Sequence, residues 1–207
     1  MACAGRFGDH HALLARMHTD HIDHLTRMIE GLDIRIGQVT DPFAGQLRLL
    51  RSIPGIGERA AQVIISEIGV DMSRFPTAAH LASWAGLCPG NNESAGKHKS
   101  GRTRKGNAEV RTILTECAWT AGRTGTYVGA RFRRLHRRFG KTGGGKAAIA
   151  IAHTLIVVIW HVLRDNAEYR DLGSDYFPRY DNPDARKRRL IRDLETLGYD
   201  VTVQPAA

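Results

Sequence analysis

The sequence predicts an all-α protein, with a long N-terminal helix of the coiled-coil type followed by a helical domain that contains a helix-hairpin-helix. Two observations lead to this prediction. Apolar residues recur at helical spacing along most of the 207 residues, and glycines and prolines fall between those stretches. The composition, 42% hydrophobic and 25% charged, is that of an ordinary globular protein. We therefore expect a packed helical core.

The first predicted helix covers about residues 10–38. One narrow apolar stripe with charged flanks runs along it, formed by Leu14, His18, Ile22, Leu25, Ile29, Leu32 and Ile36. Such a stripe fits either pairing with another helix or docking on a core, and it makes an oligomer an expected state. His18, His21 and His24 turn progressively around the helix, so a solvated face is favoured over a metal site.

The next stretch, residues 45–69, reads as helix, hairpin, helix. The turn "PGIG" contains Gly55 and Gly57, which allow backbone N–H groups to point outward at the start of a helix. The helix dipole favours an anion at that position, so we expect a contact with a nucleic-acid phosphate. A plain helix connection is the alternative, because glycines are natural there too.

The remaining chain predicts five more helices and one short strand. A short helix at about 77–85 has Phe75, Leu81 and Trp84 as core candidates, and helical spacing returns from about residue 107. In the helix at 126–139 five arginines are expected outward, with the inward side chains being Tyr127, Phe132, Leu135 and Phe139. A strongly apolar helix at 146–164, an amphipathic helix at 183–197 and a strand at 199–205 complete the prediction. The predicted divisions are 1–40, 41–170 and 171–207.

The positive charge is concentrated in one part of the chain. The formal charge is +9, and Ser94–Lys146 holds 14 Lys or Arg against two acids, whereas the remainder holds 16 basic and 19 acidic residues. Such a segment attracts polyanions by neutralising phosphates and releasing their counterions, so nucleic acid is the predicted partner. A basic face that only aids solubility is the alternative.

Other features argue against a secreted or membrane protein. Cys3, Cys88 and Cys117 are too far apart for a zinc motif or a disulfide framework. The N-terminus lacks the apolar core of a signal peptide, and the longest apolar run, 147–163, contains two histidines and is short for a membrane span. These features predict a cytoplasmic protein without a membrane partner.

A glycine-rich stretch, "GKTGGGKA" at 140–147, nearly matches a phosphate-binding loop. Ala147 stands where the magnesium-binding hydroxyl would be, and an arginine-rich helix precedes the stretch where a buried strand is required. A cationic connection between helices is therefore favoured over an ATP site.

The loop at 91–107, "NNESAGKHKSGRTRKGN", raises the question of whether Ser94 acts chemically. Serine attacks a phosphodiester only where the developing charge is stabilised, and the loop supplies basic residues for that purpose. Taken alone, these residues leave two interpretations open: a nucleophilic serine, or a serine that only touches phosphate.

The order of these features resembles the C-terminal transposase domain of the IS110 family of insertion-sequence recombinases. The resemblance covers about residues 45–165 and rests on "LLRSIPGIGERAAQVIISEIG", on "FPTAAHLASWAGLCPGNNESAGKHKSGRTRKGN" and on "RTILTECAWTA". The serine-x-glycine of "ESAGK" falls where that family has its reactive serine.

The resemblance implies that Ser94 is the covalent nucleophile in DNA strand exchange. It further implies that Gly96 keeps the turn open and that DNA, together with a structured guide RNA, is bound by the basic loop and neighbouring helices. From the residues and the resemblance together, the expected nucleic-acid contacts are Gly55, Gly57, Gly96, Lys97, Lys99, Arg102, Arg104, Lys105, Arg111, Arg133, Arg134 and Arg137.

One part of the family pattern is missing from this sequence. Family members carry, before this domain, a nuclease-like fold with four acidic residues that bind magnesium, whereas here Met1 is followed almost directly by the connecting helix. We therefore expect a truncated or split transposase that is inactive alone, has no cofactor of its own, and meets Mg²⁺ only through a nuclease-like partner. The alternatives are a non-catalytic DNA- or RNA-binding module and a coiled-coil regulator of a full-length transposase.

Overall fold

The computed structural model describes residues 5, 7–90, 93–94, 97–98, 101–177 and 183–204. The chain divides into two compact units, Met1–Gly45 and Gln46–Ala207. The fold is all-α apart from one pair of two-residue strands, as the sequence predicts.

The first unit is formed by a single long helix, α1, at Asp9–Thr40, followed by a 3₁₀ turn at Asp41–Phe43 that contains Pro42. This confirms the predicted helix at 10–38. None of the 32 residues of α1 is buried, and the apolar stripe predicted from spacing is exposed, with Ile22 at 61%. The stripe thus forms without being covered by the described residues.

The second unit contains the other helices. Their bounds are α2 at Ala44–Arg51, which begins at the edge of the first unit, α3 at Glu58–Ile68, α4 at Ala78–Trp84, α5 at Ala108–Gly122, α6 at Tyr127–Phe139, α7 at Gly144–Asp165 and α8 at Pro183–Thr196. A 3₁₀ turn at Met72–Arg74 lies between α3 and α4. The strands β1, Glu93–Ser94, and β2, Lys97–His98, lie between α4 and α5.

Helix α7 is the centre of this unit. It packs against α4, α5 and α6, and eleven of its residues are buried, including Leu155 and Ile159. Burial of each such side chain contributes about 1.5–3 kcal/mol. α7 is long and apolar enough to cross a membrane, but its burial among other helices accounts for that composition. The indole N–H of Trp160 donates to the carbonyl of Phe75, 2.9 Å away, and ties the segment before α4 to this helix.

Three helices begin at polar residues that the sequence places just before their apolar pattern. The side chains of Thr77, Asn107 and Thr126 accept hydrogen bonds from the first turns of α4, α5 and α6. Each such cap stabilises its helix by about 1 kcal/mol. Helices α3 and α6 end at Gly69 and Gly140, both with φ of 74°, a conformation that favours glycine.

Three details of the predicted packing are wrong. Trp84 is 39% exposed, because it packs its ring on Phe75, 5.6 Å away, instead of entering the core. Phe139, predicted inward, is 38% exposed at the end of α6. The described part of the predicted strand, residues 199–204, is irregular because no neighbouring strand pairs with it among the described residues.

Candidate nucleic-acid interface

The serine of interest lies on a small hairpin. β1 and β2 are antiparallel, with Glu93 opposite His98 and Ser94 opposite Lys97. Farther from the turn of the hairpin, Pro89 forms an antiparallel bridge with Thr103, and the N–H of Gly90 donates to the carbonyl of Arg102 at 2.9 Å. The structure thus places the backbone of Ser94 directly across from a basic residue, close to the turn of the hairpin.

The expected contacts Gly96 and Lys99 lie outside the described residues, and the side chains of Ser94 and Lys97 are likewise outside them. The roles of these four residues stay predictions.

The root of the hairpin is held by a close approach of two glycine backbones. A Cβ atom on Gly106 would overlap the backbone of Ala85 and Gly86, and Gly86 has a φ of 69°. The N–H of Asn107 also donates to the carbonyl of Trp84 at 3.2 Å. Because only glycine fits this crossing, the two ends of the hairpin segment are fixed side by side.

Asn107 links this root to two helices. Its Oδ1 accepts from the N–H of Val110 and caps α5, while its Nδ2 donates to Oε2 of Glu67 on α3 at 2.7 Å. The sequence suggested Asn107 only as the point where helical spacing resumes. Its bond to α3 links residues 40 positions apart, a distance that local patterns do not encode.

The turn between α2 and α3 uses its two glycines differently. Gly55 has a φ of 90°, and a Cβ there would overlap the carbonyl of Cys117 and the backbone of Ala121, so Gly55 serves close packing of the turn on α5. Gly57 is exposed, precedes α3 as its N-cap and has nothing within 4 Å of an added Cβ. Of the two, Gly57 has the solvent-facing geometry expected of a phosphate contact, and Gly55 has a packing role that the sequence did not reveal.

The first turn of α3 already carries an ion pair. Glu58 accepts a 2.7 Å contact from Arg51, and both side chains are about half exposed. The carboxylate lies at the positive end of the helix dipole. The helix, turn and helix follow the predicted order, while their role as a nucleic-acid-binding helix-hairpin-helix stays a prediction.

Four of the five arginines of α6 are exposed, as predicted, whereas Arg131 is not. Arg131 is half-buried, and its Nη1 donates to the hydroxyl of Tyr127 at 3.0 Å. Arg133 donates from Nη1 to the carbonyls of Gly122 at 3.1 Å and Thr124 at 2.9 Å. These carbonyls lie at the C-terminal end of α5, where helix carbonyls need outside donors.

Arg134 and Arg137 complete the expected contacts on α6. The guanidinium of Arg134 stacks over the Phe177 ring, 5.1 Å from its centroid, which is a cation–π geometry. Arg137 is exposed in the last turn of the helix. Arg133 and Arg134 therefore stabilise the domain, whether or not they also contact a ligand.

The described basic residues beyond the hairpin are more accessible. Arg102, Arg104 and Lys105 are exposed on the segment that returns from the hairpin, while Arg111 on the second turn of α5 is half-buried. These exposed groups lie on either side of the bridge residue Thr103, so they belong to the same connection between α4 and α5 as Ser94.

The other candidate nucleophile in this region is not available. Burial of Cys117 in α5, followed by the charge of Glu116, raises the pKa of the thiol to about 11. At neutral pH the thiol therefore stays protonated, and the thiolate is the reactive form. Among the described residues, no group of three or more His, Cys, Asp or Glu side chains is arranged to hold a metal ion.

Residues 140–143 connect α6 to α7 and residues 144–147 form the first turn of α7, so a helix precedes this stretch where a phosphate-binding loop requires a strand. This agrees with the prediction of an inter-helix connection.

A helical domain that presents a serine in a basic hairpin has the features of a protein that acts on nucleic acid. Comparison with known proteins points to a family. Residues 47–134 match the family described as transposase IS116/IS110/IS902, which supports an IS110-family transposase.

Curated relatives agree with this assignment. The chain is 34% identical over 110 residues to a putative transposase, y4qE, of Sinorhizobium fredii, covering 52% of this chain and 28% of that protein. It is 34% identical over 122 residues to the IS110 43.6 kDa protein of Streptomyces coelicolor, covering 58% and 29%. It is also 32% identical over 157 residues to the pilin gene-inverting protein of Moraxella bovis, covering 72% and 48%. The chain thus spans less than half the length of each of these relatives.

Proposed function

We propose that the chain is the serine-bearing DNA-recombination domain of an IS110-family transposase, with the Ser94 hydroxyl as the nucleophile. The observation that carries this proposal is the position of Ser94. It lies on a hairpin, in register with Lys97, within the residues that match the family. The basic segment that begins at this serine is suited to a phosphodiester substrate.

The reaction is a pair of transesterifications. The Oγ atom of Ser94 attacks a DNA phosphorus and forms a serine–phosphate bond, while the bond from phosphorus to one deoxyribose oxygen breaks and that oxygen takes the proton. The hydroxyl of another strand end then attacks the same phosphorus, joins the strands and returns the proton to Ser94. Each step exchanges one phosphoester for another, so no external source of energy is required.

The basic residues near Ser94 have two roles in this proposal. They bind the DNA backbone without regard to sequence, and they stabilise the negative charge that grows on the phosphoryl oxygens during attack. Arg104 and Lys105 are the described residues best suited to backbone binding, because both are exposed on the segment that returns from the hairpin. The same charge suits a structured guide RNA as a second ligand.

The described residues do not fit a magnesium site, because they contain no cluster of carboxylates that could hold the ion. We therefore derive no step through Mg²⁺. In the proposal the ion is held by a nuclease-like domain, and we expect the activity of this chain to depend on that domain. As a DNA recombinase it is placed in the bacterial cytoplasm.

We further propose that α1 pairs with a helix of the same kind. The apolar stripe of this 32-residue helix is exposed from Leu14 to Leu32, and a stripe of this spacing is stabilised by a partner helix. Sedimentation of the chain is expected to show an oligomer, and the double substitution Leu25→Glu, Ile29→Glu is expected to convert it to a monomer. A monomeric wild-type chain would remove this part of the proposal.

The catalytic proposal is tested by trapping a protein–DNA adduct. The chain is incubated with labelled element-end DNA, with and without a separately supplied nuclease-like domain of an IS110-family protein, and resolved on a denaturing gel. We expect an adduct with the wild-type chain in the presence of that domain and none with Ser94→Ala. Ser100→Ala, in the same basic stretch, is the matched control and is expected to keep the adduct.

Two other results have distinct meanings. An adduct that persists in Ser94→Ala would show that another group is the nucleophile. Salt-dependent DNA binding that is equal in wild type and Ser94→Ala, with no adduct under any condition, would show a binding module without chemistry.

A further inference from the structure

A cavity of about 890 Å³ lies at the root of the hairpin that carries Ser94. Its walls come from the segments on both sides of the hairpin, from α6 and from the N-terminal half of α7. The volume lies within the roughly 300–1,000 Å³ typical of pockets for small ligands. We call it the root cavity.

Several residues that line the root cavity are apolar. Leu87, Pro89, Phe139 and Ile149 line it, and Phe139 is an aromatic ring exposed to 38%. Exposed aromatic rings beside basic groups are the platforms on which nucleic-acid bases stack, with about 1–3 kcal/mol per base. The ring of Phe139 is therefore accessible to a base in the cavity.

Other residues of the lining are cationic. Arg102, Arg131 and Lys146 line the cavity together with His153, and no described lining residue is acidic. The Nε atom of Arg131 is buried and has no hydrogen-bond partner among the described residues, while Nη1 of the same side chain is bonded to Tyr127. Leaving a buried donor without a partner is unfavourable by about 1–3 kcal/mol or more, so Arg131 carries a hydrogen-bonding group that the described protein atoms leave unsatisfied.

His153 adds a neutral polar group to the lining. Burial, followed by the nearby charge of Arg131, lowers the pKa of its imidazole below 6.5. At neutral pH the ring is therefore uncharged, and it can either donate or accept a hydrogen bond with a base edge or a phosphate.

The location ties the cavity to the reaction. The bridge between Pro89 and Thr103 forms both the rim of the cavity and the foot of the hairpin. Ser94 follows Pro89 by five positions, which limits the distance between them along the chain to about 18 Å. A nucleotide in the cavity would thus lie within a few nucleotides of a phosphate attacked by Ser94.

We propose that the root cavity holds one unstacked nucleotide of the bound strand, with its base against Phe139 and Ile149 and its phosphate at Lys146 and Arg131. Removing a base from its stack takes a few kcal/mol, which the apolar and cationic lining residues offset. The cavity thereby fixes the strand relative to the hairpin. This inference rests on the proposed action on nucleic acid, but not on Ser94 being the nucleophile.

The test is a calorimetric titration of the full chain with three ligands: deoxyadenosine 5′-monophosphate, inorganic phosphate and deoxyadenosine. We expect the nucleotide to bind with a dissociation constant of about 1 mM or below, and more tightly than either part alone. Phosphate that binds as tightly as the nucleotide would show an anion site without a base pocket. Absence of nucleotide binding at about 10 mM would overturn the proposal outright.

Two variants locate the binding. Lys146→Glu is expected to weaken nucleotide binding at least about tenfold, because it reverses the charge on the cavity wall. Lys146 is exposed in the first turn of α7, where a glutamate is compatible with the helix, so folding is preserved. Lys141→Glu makes the same charge change outside the cavity and should leave binding within about twofold. Equal effects of the two variants would contradict the proposal.

Ile149→Trp fills space beside the apolar lining residues and is expected to abolish nucleotide binding while leaving salt-dependent duplex binding in place. Unchanged nucleotide binding in this variant would overturn the placement of the base. The adduct assay is independent of these titrations. Nucleotide binding without an adduct would contradict only the proposal that Ser94 is the nucleophile. An adduct without nucleotide binding would contradict only the proposal that the root cavity holds a nucleotide.

Discussion

The arginines of α6 and the basic residues after the hairpin look alike in the sequence but differ in the structure. On α6, Arg131 and Arg133 donate to groups of the protein itself, and Arg134 stacks on Phe177. After the hairpin, Arg104 and Lys105 are exposed. The difference teaches that a count of basic residues overestimates a nucleic-acid surface, because part of the charge stabilises the domain that carries it.

The largest expected effect is on the stability of the fold at the foot of the hairpin, where the close packing of two glycine backbones, and not charge, holds the basic segment in place. Gly106→Ala is expected to lower the free energy of unfolding by about 2–3 kcal/mol, because the new methyl group overlaps the backbone of Gly86. Denaturant unfolding measures the change. Gly101→Ala, with nothing within 4 Å of the added Cβ, is the control and should change stability by less than about 0.5 kcal/mol. Equal stabilities of the two variants would show that the glycine crossing does not hold the hairpin.

A smaller effect separates the two classes of arginine on α6. Arg133→Ala is expected to lower the free energy of unfolding by about 1–2 kcal/mol, since two carbonyls at the end of α5 lose their donor. Arg137→Ala, on an exposed side chain of the same helix, should stay within about 0.5 kcal/mol of wild type. Thermal and denaturant unfolding measure both changes. An Arg133→Ala variant as stable as wild type would show that Arg133 and Arg137 do not differ in their contribution to stability.

Substitution of the exposed residues Arg104 and Lys105 is expected to change DNA binding and not stability. The double substitution Arg104→Ala, Lys105→Ala is expected to leave stability nearly unchanged and to weaken DNA binding by about tenfold. It should also lower the magnitude of the slope of log K against log salt concentration by about two. Fluorescence anisotropy at several salt concentrations measures both quantities. Arg164→Ala, whose side chain is paired with Asp165, is the control and should keep the wild-type slope. An unchanged slope in the double variant would place the DNA elsewhere.

The smallest effect is a pH dependence. The pKa of His153 is lower in the folded protein than its ordinary 6.5, so its contribution to stability is present above pH 6.5 and is lost as the pH falls through the folded value. Between pH 7.5 and 5 the melting temperature of wild type should therefore fall more than that of His153→Gln. His161→Gln, on an exposed position of the same helix, is the control and should follow wild type. Parallel curves for wild type and His153→Gln would contradict the effect.

Local patterns predicted the helices well, because each is encoded by its own spacing and ends. The periodic stripe of α1, the starts of α4 and α5 near residues 77 and 107 and the end of α3 at Gly69 all appear in the structure where the sequence indicates them. The apolar run of α7 likewise becomes the buried central helix.

Contacts between distant segments could not be predicted from these patterns. The role of Gly55 depends on α5, about 60 residues away, and the crossing of Gly86 and Gly106 depends on two ends of a long connection. Arg133 looked like a ligand-facing residue because its carbonyl partners at the end of α5 leave no local signal. For the site, Ser94 was found through its surrounding motif, whereas the root cavity exists only after α6 and α7 pack together.

The most direct test of the central claim is to locate the DNA attachment by mass spectrometry. The adduct is digested with nuclease and trypsin, and the account predicts a nucleotide mass on the peptide of residues 75–97, with fragmentation assigning it to Ser94 and not to Thr77 or Ser83. A nucleotide mass on any other residue, or an adduct of unchanged yield from Ser94→Ala, would contradict the proposal that Ser94 is the nucleophile.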